Sequence, residues 1–113
     1  MIKLTSLNSD DEFKKLLKLK KIHNNYFTIY FGKIYTDDIN KKLKISFVAK
    51  KKIGNAVKRN KIKRRLKNMT NDAVKKISIN FNYSYLVIAK NTVFNDEYPN
   101  IKKTLFSDFK RIK

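Results

Sequence analysis

Between Lys51 and Asn68 the chain reads KKIGNAVKRNKIKRRLKN, eighteen residues of which nine are Lys or Arg and none is acidic. No other segment limits the available folds as strongly. Like charges at this density repel one another, so the basic side chains must face solvent or a polyanion. The same stretch must still bury an apolar face. At about 100° per residue, Ile62, Leu66, Met69, Ala73 and Ile77 fall in one narrow sector. Asn60, Lys61, Lys63, Arg64, Arg65 and Lys67 project elsewhere, and Arg59 lies near the sector's edge. The segment from Asn55 to about Ile77 therefore reads as an amphipathic helix whose basic remainder is concentrated in its N-terminal half. Gly54-Asn55 breaks whatever precedes it, and Asn55 is placed to cap the helix.

Such a helix needs a partner layer, and the flanking sequence supplies strands. YFTIYF (Tyr26–Phe31) is aromatic and β-branched, with Phe27, Ile29 and Phe31 on one face and Tyr26, Thr28 and Tyr30 on the other. LKISFVA (Leu43–Ala49) sets Leu43, Ile45, Phe47 and Ala49 against Lys44, Ser46 and Val48. YLVIA (Tyr85–Ala89) is continuously apolar and reads as a buried strand. TDDINKK between the first two strands is a polar turn. Two further helices are expected. The first has Ser9 or Asp10 as cap and Phe13, Leu16 and Leu17 on one face, fading near Leu19. The last has Asn95 or Asp96 as cap, acids in its first turn, Pro99 early, and a buried stripe of Ile101, Leu105, Phe109 and Ile112. With no linker-like stretch and no repeat, residues 1–113 read as a single small α+β domain, a sheet with helices packed on it.

Charge speaks about partners. Lys and Arg number 28 against 9 Asp and Glu, a formal balance of +19, and nucleic acid is the first candidate. The absence of cysteine excludes disulfides, Cys-ligated zinc and thiol catalysis, and a single histidine, His23, expected on the surface or in a turn, leaves little for a His-based site. No apolar run is long enough to span a bilayer, and MIKLTSLNSDDEF lacks a signal core, so a cytoplasmic protein is expected.

The start of the basic helix is where an anion is best held. Free backbone N–H groups and the positive end of the helix dipole already favour phosphate, and Lys51, Lys52, Lys58, Arg59, Lys61 and Arg64 add to them. A merely solvated face would carry mixed signs, yet the next acid is Asp72; Lys102 and Lys103, by contrast, read as solvated. Tyr26 and Tyr30 either offer rings to unstacked bases or pack amphipathically with their hydroxyls in water. Phe13 has the same two readings. The acids, Asp10-Asp11-Glu12, Asp37-Asp38, Asp72, Asp96-Glu97 and Asp108, place no pair of carboxylates beside the basic helix to hold two metals. A structural RNA-binding protein such as a ribosomal protein shares this charge and size. A self-sufficient metal nuclease would need the missing acid cluster, and a membrane-surface peptide would not spread Lys over sheet and helices alike.

KKIGNAVKRNKIKRRL resembles the RNR signature of the bacterial ribonuclease P protein subunit, with G-N-A-V-x-R-N-x-x-K-R at Gly54–Arg64. The resemblance extends over about residues 3 to 112, through DEFKKLL, YFTIYF, SFVAKKKIGNAV, YLVIAK and YPNIKKTLFSDFKRI. Three departures stand out: Lys61 replaces the motif's usual last Arg, Leu17 stands where a second first-helix aromatic is usual, and KLKKIHNN lacks the usual Gly. The resemblance implies the order αβββαβα. It also implies a four-stranded mixed sheet with three helices, a short strand near Lys21–Asn24, and a left-handed β-α-β crossover, as in the second domain of a small-subunit ribosomal protein. Physics alone favours the opposite hand.

The resemblance further implies a function: an RNA-binding subunit that, with a catalytic RNA, removes the 5′ leader from precursor tRNA. No protein residue would be catalytic, and Mg²⁺ would be held mainly by the RNA. The RNA-subunit face would comprise Lys52, Asn55, Lys58, Arg59, Asn60, Lys61, Lys63, Arg64, Arg65 and Lys67. A leader cleft would comprise Phe13, Leu17, Tyr26, Thr28, Tyr30 and Lys51. The partners implied are the RNA subunit and precursor tRNA, with no membrane and no obligate protein partner.

Overall fold

The computed structural model describes residues 3–5, 10–33, 42–79 and 83–112. In chain order the elements are β1 (Lys3–Thr5), α1 (Asp10–Leu17), β2 (Lys20–His23), β3 (Phe27–Gly32), β4 (Lys42–Val48), a 3₁₀ turn (Lys51–Ile53), α2 (Ala56–Lys76), β5 (Ser84–Ala89), α3 (Thr92–Asn95) and α4 (Tyr98–Arg111). The strands form one sheet in the order β1-β4-β5-β3-β2. β5 runs parallel to β4 and antiparallel to β3, and β2 pairs antiparallel with β3 at one edge. The four strands of the expected mixed α+β sheet are thus present, and α2 makes the crossover between the parallel neighbours β4 and β5. β5 is central, which is why YLVIA is apolar without alternation: Tyr85, Leu86, Val87 and Ala89 are all buried.

The register sorts the two faces. Phe31, Tyr85 and Ile45 align across three strands, as do Ile29, Val87 and Phe47. Onto this face pack Ile62, Leu66, Met69 and Ala73 of α2 and Ile101, Leu105 and Phe109 of α4, all buried in one core. The stripes read for α2 and α4 are buried, except that Ile77 is half-buried and follows α2 as its C-cap; of the α1 face, Leu16 is buried and Leu17 is exposed. Truncating a fully buried side chain here, such as Leu66, costs about 2–5 kcal/mol. The opposite face carries a smaller cluster in which Leu16 of α1 packs on Leu86, with Tyr30, Val48 and Ile88 partly buried around it.

Several expectations need correction. A three-residue strand, β1, adds a fifth member parallel to β4. α3 is a one-turn helix between β5 and α4, so the C-terminal segment holds two helices. Neither Asn95 nor Asp96 caps α4; the cap position is Glu97, without a side-chain cap bond, and the first turn holds Pro99 but none of the expected acids. Asp96 instead accepts from the Glu97 backbone N–H at 2.8 Å. β4 does not alternate buried with exposed, since Lys44 and Ser46 are buried as well as Leu43 and Ile45. α1 ends at Leu17, before Leu19. The polar turn TDDINKK begins, and the candidate cap Ser9 lies, outside the described residues.

The β2–β3 turn within KLKKIHNNYF is fixed by Asn24. Asn24 Oδ1 accepts from the backbone N–H of Tyr26 at 2.7 Å and of Phe27 at 3.0 Å. Its Nδ2 donates to Asp108 Oδ2 at 2.6 Å. An Asx turn thus closes the β2–β3 hairpin and ties it to α4.

Candidate nucleic-acid interface

α2 begins where its sequence says it should. Asn55 is extended at the cap position, and its Oδ1 accepts from Lys58 N–H at 2.9 Å. The first turn contains no acid. Facing away from the buried stripe, the outer surface exposes Asn60, Lys61, Arg64, Lys67 and Asn68, together with Val57, which is 78% exposed. Lys63 is half-buried. Arg59 is half-buried too, and its Nε is buried with no hydrogen-bond partner among the described residues.

Not every cation of the run is free. Arg65 turns inward: its guanidinium donates to the carbonyls of Val93 at 2.9 Å, Phe94 at 3.2 Å and Asp96 at 3.0 Å, and lies over the Tyr98 ring. Arg65, expected on the RNA face, thus holds the carbonyls at the end of α3 and the entry to α4. Lys58 and Lys61 flank the Phe94 ring with Nζ at 4.9 and 5.2 Å from its centroid. A cation over a ring stays available to solvent on its other side.

A second feature adjoins this one. An open groove of about 510 Å³ is lined by Thr28 and Tyr30 of β3, Ile88 and Ala89 of β5, Lys50, Lys52 and Ile53 around the 3₁₀ turn, and Lys90 and Asn91. The groove and the start of α2 share the Lys50–Ile53 segment, so Lys52, assigned to the RNA-subunit face, lines the groove as well. Tyr30 is half-buried, with Lys21 Nζ 5.9 Å from its ring centroid. Lys51 is exposed next to the groove. Phe13 lies on α1, but its side chain is outside the described residues.

Two expected cleft residues are not brought here. Leu17 is 48% exposed and absent from the groove's described lining; Leu16 makes the helix's contact with the sheet. Tyr26 precedes β3 and packs with the α2–α4 core, its hydroxyl donating to Asp96 Oδ2. That bond raises the Tyr26 pKa and lowers that of Asp96. Conversely, sequence reasoning missed Lys50, Ile88, Lys90 and Asn91. The signal for Lys90 was its place directly after YLVIA, since side chains at a strand's end reach the sheet's rim.

The acids are engaged or scattered. Asp72 pairs with Lys102 at 2.8 Å, Asp108 is buried against Asn24 and 3.9 Å from Arg111, and Asp96 is held by Tyr26 and Glu97. Lys102, expected to be merely solvated, is therefore paired. Among the described residues no three His, Asp or Glu side chains come together as a metal site. Nor, among them, is any helix long and apolar enough to cross a membrane.

A family model described as Ribonuclease P matches residues 1–113. The ribonuclease P protein component of Mesoplasma florum is 34% identical over 97 residues, 83% of this chain and 82% of that protein. That of Carboxydothermus hydrogenoformans is 31% identical over 116 residues, 100% of this chain and 95% of that one. Among solved structures, the RNase P protein from Thermotoga maritima superposes with a TM-score of 0.78 at 23% identity, over 96% of this chain and 98% of that one, which speaks for the fold. A Staphylococcus aureus RNase P protein superposes with a TM-score of 0.68 at 27% identity, over 95% and 93%.

Proposed function

The chain belongs to the ribonuclease P protein family, and from that premise we propose how its surfaces divide the work. It is the RNA-binding protein subunit of a ribonucleoprotein endonuclease whose partners are the ribonuclease P RNA and precursor tRNA, from which the 5′ leader is removed. In our reading residues 1–113 act as one domain in the bacterial cytoplasm, and the outer face of α2 docks on the RNA subunit. The observation that carries this is the acid-free outer face of α2, Asn60, Lys61, Arg64 and Lys67 beyond an Asn55 cap. Phosphates meet free N–H groups, a helix dipole and several cations at once.

The groove between β3, β5 and the 3₁₀ turn would take the single-stranded leader. Its floor is Thr28, Tyr30 and Ile88, and its rim is Lys50, Lys52 and Lys90. A ring and a cationic rim suit an unstacked base and its phosphate. In this reading the Mg²⁺ that supports cleavage is held by the RNA. The protein contributes positioning: one surface grips the catalytic RNA and the adjoining one grips the segment to be removed, so the scissile bond is held by both partners.

The test is reconstitution. This protein, added to a bacterial ribonuclease P RNA at low Mg²⁺, should produce 5′-leader cleavage that the RNA alone does not support. Cleavage by the protein without RNA, or no stimulation of the RNA, would refute the assignment.

A further inference from the structure

A second concavity, of about 570 Å³, lies at the far end of β3. Its walls are Phe31, Tyr83 and Leu19, and Lys18, Lys20 and Lys33 surround it with no acid among the described lining. Phe31 and Tyr83 form a tilted ring pair with centroids 5.8 Å apart. Leu19 is 44% exposed and sits hard against Gly32, where an added Cβ would collide with its Cδ1. Glycine at that position therefore lets Leu19 close one side of the hollow.

The composition decides what fits. Three ammonium groups around an apolar, aromatic floor attract an anion that carries a flat ring. A second copy of this chain, at +19, would be repelled. A nucleotide of single-stranded RNA meets both demands, with its base on the rings and its phosphates on the lysines.

The place in the fold decides which RNA. β3 contributes Thr28 and Tyr30 to the groove proposed for the leader and Phe31 and Gly32 to this pocket. Thr28 and Gly32 are four residues apart, roughly 13 Å along a strand. The groove adjoins the start of α2, the face proposed to dock on the catalytic RNA, whereas the pocket lies at the other end of β3. Tyr30 and the Phe31–Tyr83 ring pair lie on opposite faces of the sheet, and the lining residues Lys18, Leu19 and Lys20 lead into the edge strand β2. A leader leaves the cleavage site at its 3′ end, so a strand that first crosses the groove reaches this pocket by passing around the β2 edge, with nucleotides farther upstream.

We propose that the Phe31–Tyr83–Leu19 pocket, ringed by Lys18, Lys20 and Lys33, is a second nucleotide-binding site that holds an upstream nucleotide of the precursor tRNA leader. This rests on the leader-groove reading given above. It makes precursor affinity depend on leader length in two steps, the first at the groove and the second at the pocket.

The experiment measures binding of holoenzyme to precursor tRNAs whose leaders are lengthened one nucleotide at a time. The variants are Tyr83→Leu, which keeps apolar bulk but removes the ring, and Lys18→Ala/Lys33→Ala, which changes only exposed side chains and guards against misfolding. Tyr83→Leu should leave short-leader affinity unchanged and weaken long-leader affinity by about 5- to 150-fold. The double lysine variant should lower the salt slope by about two, again only for long leaders. Losses independent of leader length, no loss at any length, or weakened assembly with the RNA subunit would overturn the proposal. Tyr30→Ala separates the two readings. If it weakens short-leader binding while the pocket variants do nothing, the pocket alone is refuted; if it has no effect at any length, the groove falls and the pocket's leader assignment falls with it.

Discussion

Arg64 and Arg65 are adjacent in the chain and opposite in use. Arg65 faces α3 and α4 and donates to three backbone carbonyls under the Tyr98 ring. Arg64, one step around the helix, is exposed. The same division runs through the molecule. Tyr26 gives its hydroxyl to Asp96, while Tyr30 lines an open groove. Lys102 is paired with Asp72, while Lys67 stands exposed on α2. One side of this protein uses its polar groups to hold itself together, and the other leaves them exposed, where the function proposed above has them meet a polyanion. Residue type does not distinguish the two sides; only the neighbour across space does.

The comparison is most easily broken at the arginine pair. Arg65→Ala removes a charged donor from three carbonyls, a loss of about 1.5–3 kcal/mol in unfolding free energy, measured by urea denaturation. Arg64→Ala should change stability by no more than about 0.5 kcal/mol. Equal stability losses would erase the distinction between the two sides.

The tyrosine pair tests the same division through binding. Tyr30→Ala should weaken precursor tRNA by about 5- to 150-fold and spare mature tRNA, because only the precursor carries a leader. Tyr26→Phe should leave both affinities unchanged. Because Tyr26→Phe keeps the ring and removes only the hydroxyl that donates to Asp96, a loss equal to that for Tyr30→Ala would mean that the Tyr26 hydroxyl serves the RNA and not the fold.

Salt sharpens it further. Lys61→Ala/Arg64→Ala should lower the slope of RNA-subunit binding against salt by about two, one per lost phosphate contact, at a stability loss of no more than about 1 kcal/mol from the Lys61–Phe94 contact. An unchanged slope would make the outer face of α2 a solvated surface like any other.

What could be read from the chain follows from which forces are local. The stripe Ile62, Leu66, Met69, Ala73 was legible because burial imposes a period, and YLVIA because a strand covered on both faces loses its alternation. β2, Lys20–His23, was not legible from its residues: only Ile22 is even half-buried, and the strand is held by pairing with β3. β1 has the same origin, pairing with β4 across some forty residues. The inward turn of Arg65 depends on carbonyls some thirty positions away. The exchange of Tyr26 for Lys90 at the groove depends on where β3 begins, which the alternation alone placed one residue early. The GNAVKRN run carried the function because its Gly, cap Asn and cations serve one local structure, the start of α2.

The smallest expected effect is the pH dependence of the Asp72–Lys102 pair, which joins α2 to α4 on the self-contained side. The Lys102 hydrogen bond lowers the Asp72 pKa, and the Asp72 hydrogen bond raises that of Lys102. A carboxylate with a lowered folded pKa contributes stability that is full above its usual value of 3.8 and is lost as pH falls through the folded value. An amine with a raised folded pKa contributes stability that is full below its usual value of 10.5 and is lost as pH rises through the folded value. The pair should therefore add a flat contribution across the neutral range with a fall on each side, small because both groups face solvent and are screened by salt. Asp72→Asn should remove both limbs of this contribution together, so that the wild-type advantage in unfolding free energy is level across the neutral range and shrinks toward acid and toward alkaline pH, and it should leave leader cleavage by the holoenzyme intact. If Asp72→Asn abolished cleavage in a folded protein, the polypeptide would hold part of the chemistry, and the side assigned here to self-assembly would have to be counted with the working surface.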